Sequence, residues 1–201
     1  ERIVSFLPSV TELLYELEVS DKIVGVTHEC LYPNEARQKP RVINSVFETN
    51  ILDSKEINDK ISEYSKTGKP IFKVDEVNLK MANPDLIISQ NICDVCSANS
   101  NHVKVAVSML NKKPQVYTID PHDLDGILKT ITEISRIVGK EDEGFKLVNS
   151  LKNRIYIIKN SKFETLPNVL CLEWMEPFYS AGHWVPQMVD RAGGKKQISV
   201  A

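Results

Sequence analysis

Short β-type runs alternate with helical ones from the first residues to Asp120 of this 201-residue chain, and few architectures accept that order. Arg2–Phe6, Lys22–Thr27, Ile71–Val74, Asp85–Ser89 and Gln115–Asp120 are rich in Ile and Val. Several are nearly continuous in apolar character, as strands covered on both faces should be. Between them lie helical patterns. Ser9-Val10-Thr11-Glu12 reads as a capping box ahead of Leu13, Leu14 and Leu17. Ser54 to Lys66 carries Ile57, Ile61 and Tyr64 on one face and stops at Gly68, and Asn101 to Leu110 repeats the scheme with Val103, Val107 and Leu110. Parallel strands need crossovers long enough to hold a helix, so the alternation predicts an α/β fold with a doubly wound, mainly parallel sheet.

The pattern changes after Asp120. Asp123 to Val138 reads as a helix closing at Gly139, with Ile127, Leu128, Ile131, Ile134 and Ile137 as its inner stripe. Glu141 to about Lys162 reads as a longer one, with Phe145, Val148, Leu151, Ile155 and Ile158 down one side. About 20 residues rising ~1.5 Å each make a rod of roughly 30 Å. A strand over Asn168–Trp174, a loop, and a helix from Val185 to Ala192 ending at Gly193-Gly194 follow. One strand and one helix do not complete a sheet. Either that strand joins the first sheet, or the chain enters a second α/β lobe and stops, exposing a strand edge and apolar surface. The second reading divides the chain into an N-terminal lobe (1–121), connecting helices including a rigid backbone helix (122–163) and the beginning of a C-terminal lobe (164–201).

Composition narrows the function classes. Lys and Arg number 25 against 27 Asp and Glu, for a formal net charge of −2, without the basic stripe of a nucleic-acid binder. No apolar run approaches the ~20 residues that cross a bilayer. Four Cys are too few for a disulfide scaffold, although their placement is informative.

In open parallel sheets ligands sit at the carboxyl ends of the strands, and the unusual residues fall there. The first strand runs into Leu7-Pro8-Ser9 and the second into Thr27-His28-Glu29-Cys30-Leu31-Tyr32-Pro33. The Ile71 strand runs into Asp75-Glu76, and the Asp85 strand into Gln90-Asn91-Ile92-Cys93-Asp94-Val95-Cys96. Beyond the rod stand Cys171-Leu172-Glu173-Trp174 and Gly182-His183-Trp184. Cys93 and Cys96 have the spacing of half a tetrahedral zinc site, which His28 and Cys30 would complete. The same pair suits thiol–disulfide exchange, a small disulfide in an exported protein, or plain packing. Cys171, inside a strand, reads as core. Trp174 and Trp184 suit either packing or a flat conjugated ligand. Asp75 and Glu76 point apart with no nucleophile beside them, Ser9 has no paired His, and no G-x-S-x-G or Gly-rich phosphate loop occurs, so the chain does not read as an enzyme.

Arg2-Ile3-Val4-Ser5-Phe6-Leu7-Pro8-Ser9-x-Thr11-Glu12, followed by Gly25-Val26-Thr27-His28-Glu29-Cys30-x-Tyr32-Pro33, resembles the N-terminal lobe of cobalamin- and iron-siderophore-type substrate-binding proteins of ABC importers. Asn83-Pro84-Asp85-Leu86-Ile87-Ile88 is similar to that family's entry into a lobe-one strand. Pro177-Phe178-x-x-Ala181-Gly182 through Ala192-Gly193-Gly194 is similar to the opening of lobe two. The Cys-containing elements resemble a subgroup labelled cobalamin-binding. The resemblance implies two lobes joined by a rigid helix, with a corrinoid or other metal chelate held in the cleft by Ser9, His28, Tyr32, Gln90, Trp174, His183 and Trp184. It implies delivery to the membrane subunits of an ABC importer from an extracytoplasmic position. Beyond the family pattern, the placement of His28, Cys30, Cys93 and Cys96 predicts that they converge on a metal, either a structural zinc or the cobalt of the corrinoid. A CxxC redox or zinc protein, and a cytosolic corrinoid or metal chaperone, are the alternatives; a cytoplasmic placement stays open because no leader is visible before Glu1.

Overall fold

The computed structural model describes residues 1–48, 51–91, 100–162 and 164–196. They form two compact units. One comprises Glu1–Asp53 with Asp59–Asp120, the other Ser54–Asn58 with Pro121–Ala201.

The first unit is built on a six-stranded sheet. In chain order its strands are β1 (Ile3–Ser5), β2 (Ile23–Thr27), β3 (Arg41–Ser45), β4 (Phe72–Val74), β5 (Leu86–Gln90) and β6 (Gln115–Ile119). In space they run β4-β3-β2-β1-β5-β6. Every pairing is parallel except that of the edge strand β4 with β3. The chain starts at the centre, winds outward through β2 and β3, then returns to the other side of β1 for β5 and β6. That reversal puts a topological switch point between β1 and β5, where Val4 faces Ile87 and Ser5 faces Ile88. The doubly wound, mainly parallel α/β sheet read from the sequence is the one observed.

The helices are α1 (Pro8–Glu16), α2 (Ser54–Thr67), α3 (Glu76–Ala82) and α4 (Ser100–Ser108). Val4, Phe6, Val42, Phe72, Leu79, Ile87, Val103 and Ala106 close the core that α3 and α4 share with the sheet. Fully burying a Leu, Ile or Phe side chain contributes about 1.5–3 kcal/mol, so this cluster is a main source of the unit's cohesion. At its base the Arg2 guanidinium donates to the carbonyls of Ala82 (2.7 Å) and Met81 (3.2 Å), capping the end of α3. The Asp85 carboxylate accepts from Arg2 N at 3.0 Å and from Lys112 Nζ at 2.9 Å.

Among the strands and α-helices of this unit, two have no counterpart in the sequence reading. β3, Arg-Val-Ile-Asn-Ser, holds only two apolar residues in a row and follows Pro40. α3 has seven residues and depends on Asp75, whose Oδ1 accepts from Asn78 N at 2.9 Å. Asp75 is therefore a helix cap. The capping box at Ser9 is also corrected. α1 begins at Pro8 with Leu7 in the cap position and no side-chain cap bond. Proline's fixed φ suits the first helical position, where its missing N–H costs nothing.

The second unit contains α5 (Leu124–Ile137), α6 (Glu141–Lys159), β7 (Asn168–Val169), β8 (Leu172–Met175), β9 (Phe178–Ser180), α7 (Val185–Arg191) and β10 (Lys195–Lys196). Asp123 caps α5 through Gly126 N at 2.6 Å. Gly139, at φ +71°, makes the left-handed turn into α6. The single strand expected over Asn168–Trp174 is two short ones: β7 pairs in parallel with β10, and β8 pairs antiparallel with β9. Neither pair joins the six-stranded sheet.

The inner row expected on α6 is also revised. Gly144 and Val148 are buried and Leu147, Leu151 and Ile155 half-buried, while Phe145 and Ile158 face outward. The stripe is shifted by one residue at its start because α6 meets α5 at a glycine. Met175 and Phe178 of the hairpin are also exposed, at 62% and 71%.

Candidate ligand-binding edge

The carboxyl ends of β2, β1 and β5 lie side by side, and the residues that follow them form the candidate site of the first unit. Ser9 is exposed in the first turn of α1. Gln90, the last residue of β5, is buried at 9% exposure opposite Ile119. After β2 the chain makes a compact loop from Thr27 to Tyr32.

That loop is fastened from several sides. His28 N donates to Ile43 O (2.9 Å), Cys30 N to Thr27 O (3.2 Å) and Leu31 N to Glu29 O (2.9 Å). The Thr27 hydroxyl accepts from Glu29 N at 3.2 Å. From β3, Arg41 Nη1 donates to the carbonyls of Thr27 and Cys30, and Arg37 Nε donates to Leu31 O at 2.8 Å. The loop carries the half-buried His28 and three exposed side chains, Glu29, Leu31 at 50% and Tyr32 at 66%.

Cys30 does not stand on this edge. It is fully buried, with Sγ 3.1 Å from the Thr11 hydroxyl of α1 and 3.5 Å from the Thr27 hydroxyl. Its thiol faces the protein interior because the loop folds inward over α1. Cys93 and Cys96 lie outside the described residues, so the four-residue metal set is not assembled by the structure. Among the described residues no group of three or more His, Cys, Asp or Glu is arranged to hold a metal ion.

His28 Nδ1 is buried and has no hydrogen-bond partner among the described residues. Leaving such an atom unmet costs free energy comparable to a lost hydrogen bond. The His28 ring lies 6.0 Å from Phe72, and Phe72 also meets His102 edge-on at 5.8 Å. Burial holds the His102 imidazole below the usual histidine range, opposed by its bond to the Phe72 backbone. Partial burial pushes the Glu29 carboxyl up, with the His28 imidazole pulling it back.

In the second unit the predicted aromatics sit on two separate elements. Trp174, on β8, is half-buried, and its indole N–H donates to Ser54 O (3.2 Å) and Glu176 O (3.0 Å). Trp184 is half-buried at the start of α7. His183 is exposed at φ +51°, its ring 5.7 Å from that of Trp184. Cys171, read as core, is only half-buried, because it lies between the two short strands. The structure thus brings Ser9, His28, Tyr32 and Gln90 to one sheet edge, and groups His183 with Trp184. Sequence reasoning missed Arg41; its only signal was a charged residue opening a strand that periodicity did not reveal.

Comparison with known proteins agrees with this architecture. An uncharacterized ABC transporter substrate-binding lipoprotein of Bacillus subtilis (strain 168) is 27% identical over 154 residues, which is 76% of this chain and 39% of the relative. The periplasmic vitamin B12 binding protein of Vibrio cholerae superposes with a TM-score of 0.68 at 19% identity, over 100% of this chain and 67% of that one. The periplasmic heme binding protein of the same organism gives 0.69 at 20% identity, over 98% and 66%. The chain therefore spans well under half the curated relative and about two-thirds of these structures, whose likeness shows the fold. The sequence profile of the periplasmic binding protein family matches residues 3–199, nearly the whole chain, and the chain belongs to that family.

Proposed function

We propose that this chain is part of a substrate-binding protein that captures a large metal chelate outside the cytoplasm and hands it to an ABC importer. Membership of the periplasmic binding protein family supports the class, and the relatives described as binding vitamin B12 or heme support a planar chelate as cargo. The observation that carries the reading is the carboxyl end of β2, next to β1 in the sheet. There the half-buried His28, whose Nδ1 has no partner among the described residues, stands on one fastened loop with the exposed Leu31 and Tyr32. Exposed Leu and Tyr side chains beside an imidazole suit a flat macrocycle whose metal accepts an imidazole. A corrinoid fits this description, and so does heme. No step of bond-making in the cargo is required, and the role is binding rather than catalysis. We further propose that residues 1–121 act as the first lobe, 122–163 as the connecting helices and 164–201 as the start of the second.

Titration with hydroxocobalamin and with hemin, followed in the visible spectrum, tests this reading. Binding of either, with a band shift that His28→Ala removes, is the expected result. Silence of the wild-type spectrum and of isothermal titration toward both compounds overturns it.

A further inference from the structure

We infer that Arg41 is a positioning residue for the ligand-binding edge: it touches no part of the exposed surface itself and acts through the loop Thr27–Tyr32. This inference rests on the binding role proposed above. Arg41 opens β3, and its half-buried side chain lies beneath the loop that follows β2. Nη1 donates to Thr27 O and to Cys30 O (3.1 Å), and Nη2 donates to Arg37 O (3.3 Å). Three carbonyls from two segments of chain, the loop after β2 and the turn at Arg37, therefore converge on one planar cation, a geometry that the guanidinium fork meets and a lysine ammonium does not.

The clamp is itself anchored. The backbone carbonyl of Arg41 accepts from Asn78 Nδ2 at 2.9 Å, and Asn78 N is the group that Asp75 caps at the start of α3. A continuous path of hydrogen bonds thus runs from the α3 cap through Asn78 and Arg41 to the loop. Arg37, captured at its carbonyl by Arg41, returns its own Nε to Leu31 O at 2.8 Å, closing the circuit one residue before Tyr32. The exposed side chains on the loop that this circuit holds are Glu29, Leu31 and Tyr32, beside the half-buried His28. Two of them are apolar and about half or more exposed.

Holding exposed apolar side chains on an ordered backbone is unfavourable for an isolated protein and favourable for binding. A loop already ordered loses less conformational entropy when ligand arrives, and the saving appears as affinity. Arg41 therefore sets how tightly the edge binds without contacting the ligand.

The test compares wild type with Arg41→Met, Arg41→Lys and Arg37→Met, using hemin and hydroxocobalamin as probes and hydrogen exchange of the peptide containing Cys30 and Leu31. Lys112→Met, which breaks the distant ion pair with Asp85, serves as a stability control. Arg41→Met should exchange faster in that peptide and bind the recognised probe about tenfold more weakly or worse, the size expected from losing hydrogen bonds to a charged donor. Arg41→Lys should recover only part of the affinity, and Lys112→Met none of the defect. If Arg41→Met fails to fold, Arg37→Met, which frees only Leu31 O from an exposed site, should show a smaller loss of the same kind. Unchanged affinity in folded Arg41→Met or Arg37→Met despite faster loop exchange overturns the positioning role, and so does unchanged exchange. A wild type that binds neither probe overturns the functional reading instead, and the exchange data then decide the clamp alone.

Discussion

Gly144 of α6 packs against Ser135 of α5 so closely that a β-carbon at position 144 would coincide with the Ser135 side chain. Ser135 is 1% exposed, and its hydroxyl is satisfied within its own helix by Thr132 O at 2.9 Å. The two helices therefore meet at a glycine and a serine, and these small residues permit the short approach.

Gly144→Ala should destabilise the second unit by about 1–3 kcal/mol, because backbone and side chain must both move to admit the methyl group. Ser135→Gly in the same molecule should recover part of that loss. Urea denaturation followed by tryptophan fluorescence reads the effect directly, since Trp174 and Trp184 both belong to this unit. An unchanged midpoint in Gly144→Ala would contradict the close approach.

Stability should fall as pH drops below about 6.5, in part through His102. Burial holds its imidazole below the ordinary value of 6.5, so the unfolded chain takes up a proton before the folded one does. Wherever the unfolded state binds more protons, stability rises with pH. The contribution is complete above 6.5 and is lost as pH falls toward the depressed folded value. His102→Gln should flatten that part of the stability–pH curve, measured by urea unfolding between pH 5 and 7.5 (about one unit either side of the usual histidine range). An unaltered slope counts against the assignment.

Glu29 should act in the opposite sense. Its carboxyl is raised above 4.5 chiefly by burial, so the folded state favours the protonated form. That preference adds stability below 4.5, and the stability is lost as pH rises through the folded value. Glu29→Gln should therefore gain on wild type at neutral pH, with the difference reversing or vanishing in acid. Paired thermal melts at pH 4 and pH 7 (below and above the usual carboxylate range) would show it, and a variant less stable at neutral pH would refute it.

Alkylation of the native protein by iodoacetamide, mapped by peptide mass spectrometry, should leave Cys30 unmodified while Cys171 reacts. Cys30 is fully buried and its sulfur lies against two threonine hydroxyls, whereas Cys171 is half-buried. Both should label in urea. Prompt native labelling of Cys30 would place its thiol on the ligand edge after all.

The arrangement of the candidate site was legible only in part. His28 and Gln90 could be assigned to the ends of strands because β2 and β5 carry long apolar runs, and in a parallel sheet the ends of such strands share one edge. Cys30 could not be separated from its neighbours His28 and Tyr32, because the direction of a side chain in a loop depends on the backbone turn and not on the residue type. The inner face of α6 was misjudged at Phe145 for a related reason. Hydrophobicity favours the largest apolar residue of a turn, but helix contact here is governed by the smallest one, Gly144.

The sequence by itself determined the fold class and the order of the main strands and helices. Both follow from local periodicity and from the connectivity that parallel strands impose. Tertiary structure alone decided the short elements β3 and α3, the inward turn of Cys30 and the convergence of three carbonyls on Arg41. A five-residue strand or a seven-residue helix has too little local preference to declare itself, and it forms because a neighbouring surface is there to bury it. A side chain that fastens a loop from a strand later in the chain leaves no pattern in the sequence, since its partners are backbone carbonyls that every residue possesses.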